Sequence, residues 1–180
     1  MDPMLAPDLI FATQVTFMNV VNIIAARRYL VPWLARQPLA DALSPLLLLH
    51  ATRVIGLGFL TGNVTDPNLP RVIAVPAAYG DLAAATLALL AYAALRYELR
   101  GALAIVWVMN IVGLADLVHA AARGIALGFA SYHLGPMWFV PTFIGPTMIV
   151  THVLMFWLLI GHARRGGDHD AQRATSASGE

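Results

Sequence analysis

Residues Ala102–Ala122 read ALAIVWVMNIVGLADLVHAAA. As an α-helix at ~1.5 Å per residue these residues reach about 31 Å, the thickness of a bilayer's hydrocarbon core at ~30 Å. A run this long and this apolar is a membrane span, and that reading decides the fold. It also raises a difficulty. The same run carries Asp116 and His119, three residues apart on one helix face, where hydrocarbon gives a charge no partner.

The rest of the chain agrees with a membrane setting. Of 180 residues, 59% are hydrophobic and only 12% charged, against about 25% charged in an ordinary soluble domain. The formal net charge is +1 and all eleven basic residues are arginine, so nothing implies a nucleic acid or other polyanionic partner. The sequence contains no cysteine, which excludes disulfides, thiolate metal sites, iron–sulfur clusters, thiol catalysis and covalent haem attachment through CxxCH. The opening residues MDPMLAPDLI have two acids and no basic segment, so a cleavable signal peptide is not expected.

Five runs have the length of a spanning helix, near residues 9–26, 42–60, 72–95, 102–122 and 138–160. Runs of this length suit helices and are too long for barrel strands. The expected fold is therefore all-α, a polytopic transmembrane bundle forming a single domain over residues 1–162. A polar tail at 163–180 is expected to be disordered and cytoplasmic. Threading five spans puts Arg27, Arg28, Arg36, Arg96, Arg100, Arg164 and Arg165 on one side and only Arg71 and Arg123 on the other. By the positive-inside rule the N-terminus lies outside and the C-terminus in the cytoplasm. The stretch TGNVTDPNLPR at 61–71 is turn chemistry. GIALGFASYHLGP at 124–136 is too apolar for a plain loop, and lies on the outer surface or re-enters the membrane. Pro146 removes a hydrogen bond from the last span and crowds the carbonyl of Thr142, so a kink is expected there. No internal repeat marks an inverted-repeat transporter.

Six ionisable side chains fall inside the spans: His50, Arg53, Asp81, Asp116, His119 and His152. A charge near a span's centre costs about 2.5–3.5 kcal/mol, so three unpaired ones cost roughly 8–10 kcal/mol. They are expected to face inward as one cluster. His50 and Arg53 share a face, as do Asp116 and His119. Asp81 lies on a stripe of small residues, Ala77, Asp81, Ala84 and Ala88, that lets a neighbouring helix approach. Arg53 is permanently cationic and neutralises one aspartate; the other holds a proton or faces a protonated histidine. Asp116 is expected to orient or charge His119.

No Walker loop, dinucleotide fingerprint, nucleophile elbow or HExxH is present, and GLGFLTG at 56–62 reads as helix packing and a helix end. The favoured function is a membrane protein whose buried His/Arg/Asp cluster binds or moves a proton-linked small ligand. One alternative is a redox protein carrying haem between His50 and His152 as axial ligands. Another is a structural or accessory subunit whose buried charges set helix register. A zinc site is opposed by the neighbouring Arg53, and a carboxylate-bridged di-metal site lacks carboxylates. The lipid bilayer is the one obligatory partner; oligomeric state stays open.

Two consecutive segments carry a resemblance. Arg53, Ile55, Gly56, Phe59 and Leu60, followed by Pro76, Ala77, Gly80 and Asp81, resemble an Arg-x-Ile-Gly-x-x-Phe-Leu helix and a Pro-Ala-x-x-Gly-Asp helix shared by a group of small uncharacterised bacterial integral membrane proteins. The likeness covers about a quarter of the chain and departs at Ala78, where that group often has glycine. It implies an inner-membrane location and that Arg53 and Asp81 belong together. It brings no activity.

Overall fold

The computed structural model describes residues 6–177; Asp2 and residues 178–180 of the polar tail lie outside the described residues. The described residues are mostly helical, with short turns between helices and no strand. Five helices are long and apolar enough to cross a membrane: α1 (Pro7–Leu34), α2 (Leu39–Leu60), α3 (Arg71–Arg96), α4 (Ala102–Ala126) and α5 (Gly135–Arg165). The protein is an all-helical integral membrane protein.

Each helix begins and bends where its sequence dictates. Pro7 opens α1 at a position whose missing N–H is not needed, and Asp8 sits at the positive end of the helix dipole. Near its far end α1 widens into a π-helical turn over Ala26–Leu30, just before Pro32, which has no N–H to donate. In α2 the winding changes. It is α-helical to Ala51 and continues as a 3₁₀ helix over Thr52–Leu60. With three residues per turn, every third side chain eclipses. Arg53, Gly56 and Phe59 therefore form one buried row, while Val54, Ile55 and Leu60 face outward. A 3₁₀ run of this length is unusual, and it is the segment that carries the buried arginine.

The start of α5 is also irregular. A 3₁₀ turn at Gly135–Trp138 leads into a π-helical turn at Val140–Ile144, and a regular helix follows from Gly145 to Ala177. The break expected at Pro146 is thus absorbed one turn upstream, and the Thr142 hydroxyl donates back to the Trp138 carbonyl (2.8 Å). The regular helix continues past Ala163, where the sequence reads a polar tail.

In the bundle α3 is central, packed on α2 and α4, and α5 closes against α2 and α4. Alanine makes this possible. Ala78, Ala84, Ala88 and Ala91 are fully buried on α3, and without bulk on that face its neighbours come close. Near the start of α3 the buried stripe runs through Ala78; Ala77 is half-buried instead. Helix α1 is peripheral. Its α-helical part buries no residue, and it leans on α5 through Asn22 Nδ2–Thr147 Oγ1 (3.0 Å), Trp138 Nε1–Gln14 Oε1 (2.6 Å) and an edge-to-face Phe11–Trp138 contact. Phe17, Val20, Val21 and Ile24 of α1 point away from the protein, as lipid-facing side chains do.

Two separate apolar cores result. One fills the half of the bundle distant from the chain's start and includes Leu43, Leu47, Val106, Met109, Met155 and Leu159. The other lies at the end where α1 begins, the near face. There Phe59, Leu69, Ile73, Phe129, Leu134 and Met137 form a roof. The 124–136 segment supplies part of that roof: Phe129, Ala130 and Leu134 are buried, and the Asp66 N–H donates to the His133 carbonyl (2.7 Å), tying this segment to the α2–α3 loop. The polar side chains lie between the two cores.

Candidate functional site

Arg53 is the centre of the polar layer. Its side chain is 1% exposed, and its three nitrogens reach three acceptors. Nε donates to Asp81 Oδ1 (2.7 Å), Nη1 to the Gly113 carbonyl (3.0 Å) and Nη2 to Asp116 Oδ2 (2.6 Å). The planar fork of a guanidinium suits this role; a lysine ammonium has no such geometry. The arginine joins α2 to both α3 and α4. Both aspartates therefore engage the same cation. The expectation that Arg53 neutralises one aspartate while the other holds a proton or faces a protonated histidine is refined: both carboxylates bond Arg53, and neither bonds a histidine among the described residues.

Three glycines make room for these contacts. A Cβ on Gly56 would lie inside contact distance of the Asp81 carboxylate, and one on Gly80 would run into Asp116. A Cβ on Gly113 would fall 2.7 Å from Cε1 of His152 and 3.1 Å from Arg53 Nη1, tighter than real packing allows. Each glycine stands on a different helix, and each leaves the space that one or two polar side chains occupy. Gly56 is therefore a clearance for Asp81, beyond the general helix packing its sequence context suggests.

The two buried histidines form a second group beside the first. The rings of His50 and His152 pack against each other, 4.0 Å between centroids with their planes tilted by 42°. Asn110 holds His152 twice, with Nδ2 donating to the His152 carbonyl (3.2 Å) and Oδ1 lying 2.6 Å from Nδ1. That amide orientation requires Nδ1 to carry the proton. Thr151 Oγ1 lies within hydrogen-bond distance of the Thr147 and Met148 carbonyls of its own helix and 3.1 Å from His50 Nε2. The remaining nitrogens, His50 Nδ1 and His152 Nε2, are buried and have no hydrogen-bond partner among the described residues. Through Gly113 the His152 ring borders the Arg53 guanidinium. The polar layer is thus continuous from Thr151 to Asp116.

This arrangement opposes the haem alternative. Axial ligands approach an iron from opposite faces of the macrocycle, whereas these two rings pack directly on each other with no space between them. Among the described residues no group of three or more His, Asp or Glu is placed to hold a metal ion.

His119 departs from the cluster. It is exposed on α4 and makes no hydrogen bond to Asp116 among the described residues; Asp116 is turned toward Arg53 instead. Of the six side chains singled out from the sequence, the structure joins Arg53 with Asp81 and Asp116, packs His50 on His152 beside them, and leaves His119 at the cavity edge. Asn110, Thr151 and the three glycines complete the site. Of these only Asn110 carries a signal in sequence, as an amide inside an apolar span.

A cavity of about 510 Å³ opens onto this layer. Arg53, Asp81 and Asp116 lie at its floor. Its walls are apolar, from Phe11 and Val15 of α1, Ile73 and Ala77 of α3, Leu117 and Ala120 of α4, and Ile144 and Met148 of α5. Such a volume falls within the roughly 300–1,000 Å³ typical of small-molecule sites. The carboxylates reach it, with side-chain exposures of 12% for Asp81 and 19% for Asp116.

Residues 10–160 match the family described as Domain of unknown function (DUF8737), and the chain belongs to that family. No curated protein and no solved structure matches it.

Proposed function

We propose that this protein binds or moves a proton-linked small ligand at the Arg53–Asp81–Asp116 cluster. One observation carries the reading: a single guanidinium faces two carboxylates at the floor of an apolar cavity. One positive and two negative charges leave one negative charge in excess when both aspartates are ionised. In a low-dielectric layer that excess is costly, and a proton or a cationic or donor ligand removes it. The other titratable and charged groups near the floor are His152 and His50 behind it, and His119, Asp8 and Arg123 along the cavity. Neither buried histidine lies within ion-pair distance of Asp81 or Asp116, and both carboxylates turn to Arg53. The arginine distribution and the family resemblance support a bacterial cytoplasmic membrane with the N-terminus outside.

The test is infrared spectroscopy of the protein in nanodiscs across pH. A protonated-carboxyl band that titrates in the parent protein and disappears in Asp116→Asn or Asp81→Asn supports proton linkage. A parent protein with no such band at any pH at which it stays folded refutes it.

A further inference from the structure

We infer that the ligand is a lipid-soluble molecule with an O–H or N–H donor at its leading end, and that it reaches the cavity sideways from the bilayer, between α1 and α4. This rests on the reading of the Arg53–Asp81–Asp116 floor as a ligand site.

The route follows from how the cavity is enclosed. Toward the aqueous near face the apolar roof covers it, with Phe59, Ile73 and Phe129 packed together and the two loops tied by the Asp66–His133 bond. Toward the far face the first core is packed solid around Leu47, Met109 and Met155. On the remaining side stands α1, which packs on α5 and on the Phe129–Ser131 turn but forms no extended contact with α3 or α4. Yet α1, α3 and α4 all line the cavity. On α4 the exposed residues His119, Ala121 and Ile125 line the cavity, and so do Asp8 and Ala12 of α1, which places the proposed opening between α1 and α4. Asp8 and Arg123 stand at its near-face end, and Arg123 is held there by its bond to the Val72 carbonyl (2.8 Å).

The ligand's chemistry follows from the lining. Nearly all of it is hydrocarbon, so the body of the ligand is apolar. At the floor, Arg53 commits three of its five N–H groups to protein acceptors, one from each nitrogen, while each aspartate spends one oxygen on Arg53 and keeps the other, Asp81 Oδ2 and Asp116 Oδ1. With two carboxylates on one guanidinium the floor is net negative when both are ionised, so the two free carboxylate oxygens dominate what it offers a ligand. A hydroxyl or amine is complementary to them. A carboxylate would add negative charge to an existing excess, and an alkane would leave the acceptors bare. An alcohol and an amine share the donor chemistry, and the measurement separates them.

The experiment uses the full chain in nanodiscs and three probes of equal chain length: decylamine, decanol and decanoate. Binding is read from the shift in unfolding temperature with probe concentration. Two variants accompany the parent protein. Asp116→Asn alters the floor. Ala120→Phe fills the cavity one helical turn above Asp116 without touching the ion triad. Decylamine or decanol should bind the parent about ten- to hundredfold more tightly than decanoate, the scale of one hydrogen bond to a charged group. Ala120→Phe should abolish the shift, and Asp116→Asn should reduce the preference. A preference for the amine alone identifies a cationic head; equal binding of amine and alcohol identifies a neutral donor. If decanoate binds as well as the donors and Ala120→Phe abolishes it, the donor assignment is overturned while the cavity remains a ligand site. If Ala120→Phe leaves all binding intact, or no probe binds, the inference fails, and the infrared titration decides the proton-linked reading separately. The route has its own test. Because the chain lacks cysteine, Val15→Cys and Ala121→Cys can be bridged selectively by a bifunctional maleimide. Bridging should slow probe binding at least tenfold, and an unchanged rate would overturn lateral access.

Discussion

Gly80→Ala offers the sharpest check on the site's construction. On general grounds alanine in a helix interior is more favourable than glycine by ~0.8–1.0 kcal/mol. Gly80 lies within α3, so that gain is available. The structure opposes it, because a Cβ at Gly80 would collide with the Asp116 carboxylate. Asp116 must swing away, giving up its 2.6 Å bond to Arg53 Nη2. A hydrogen bond between charged groups contributes about 1.5–3 kcal/mol. Subtracting the helix gain, Gly80→Ala should destabilise the protein by roughly 0.5–2 kcal/mol. In an Asp116→Ala background no carboxylate is left to displace, and the same substitution should stabilise by ~1 kcal/mol. The sign therefore reverses between backgrounds, with a coupling of roughly 1.5–3 kcal/mol in the double-mutant cycle. Unfolding in mixed micelles with increasing SDS, followed by tryptophan fluorescence, measures all four proteins. If Gly80→Ala has the same sign and size in both backgrounds, the glycine is not a clearance for Asp116 and the reasoning fails.

His119→Ala should change stability by no more than ~0.5 kcal/mol, the usual range for exposed positions, in the same SDS titration; a loss above ~2 kcal/mol would place His119 back in the cluster. Asn110→Leu should cost more, because it removes both contacts to His152. Two buried hydrogen bonds at about 0.5–1.5 kcal/mol each, plus a stranded Nδ1–H, give about 2–5 kcal/mol. Outside the membrane, Asp66 is held below the usual aspartate range, first by the Asn68 backbone N–H (2.8 Å) and also by hydrogen bonding to the His133 backbone. A lowered carboxyl favours the folded loop above the ordinary aspartate range, and that contribution disappears as pH falls through the lowered value. Hydrogen exchange at the Asn68 amide should accelerate relative to its intrinsic rate on acidification, and Asp66→Asn should remove that dependence.

The spans were legible because length and apolarity are local properties, and the five sequence runs fall within the five helices. That Arg53, Asp81 and Asp116 must be buried and compensated was also legible, since hydrocarbon forbids the alternative. Their pairing was not. Spacing places Asp116 and His119 on one face of α4, but it says nothing of where an arginine on another helix ends, and the reach and fork of Arg53 decide the matter. The 3₁₀ winding of Thr52–Leu60 was hidden as well. Under α-helical geometry Arg53, Gly56 and Phe59 drift apart around the helix, and only the tighter winding aligns them. The glycines were visible but uninformative, because the absence of a side chain has meaning only once the neighbour that fills the space is known. The packing of His50 on His152 likewise depends on the approach of α2 to α5.

The position of the polar layer bears on what kind of work the site does. The buried polar residues His50, Arg53, Asp81, Asn110, Thr151 and His152 lie at mid-depth, and the other two, Thr65 and Thr142, belong to the near half. Below His50 the bundle is filled by Leu43, Leu47, Val106, Met109, Met155 and Leu159, with no buried polar side chain among the described residues there. An ion or proton crossing that half would need polar groups or water at each level, and a core in which Leu47, Met109 and Met155 are wholly buried supplies neither. The site is accordingly one-sided in this conformation. Transport across the membrane would require α2, α4 and α5 to separate over several turns, breaking the packing that holds the layer in place. On the proposed reading, a ligand drawn from the bilayer passes beside α1, whose α-helical part buries no residue. If the site holds a ligand as proposed, the uneven attachment of the five spans favours receiving and releasing it on the same side.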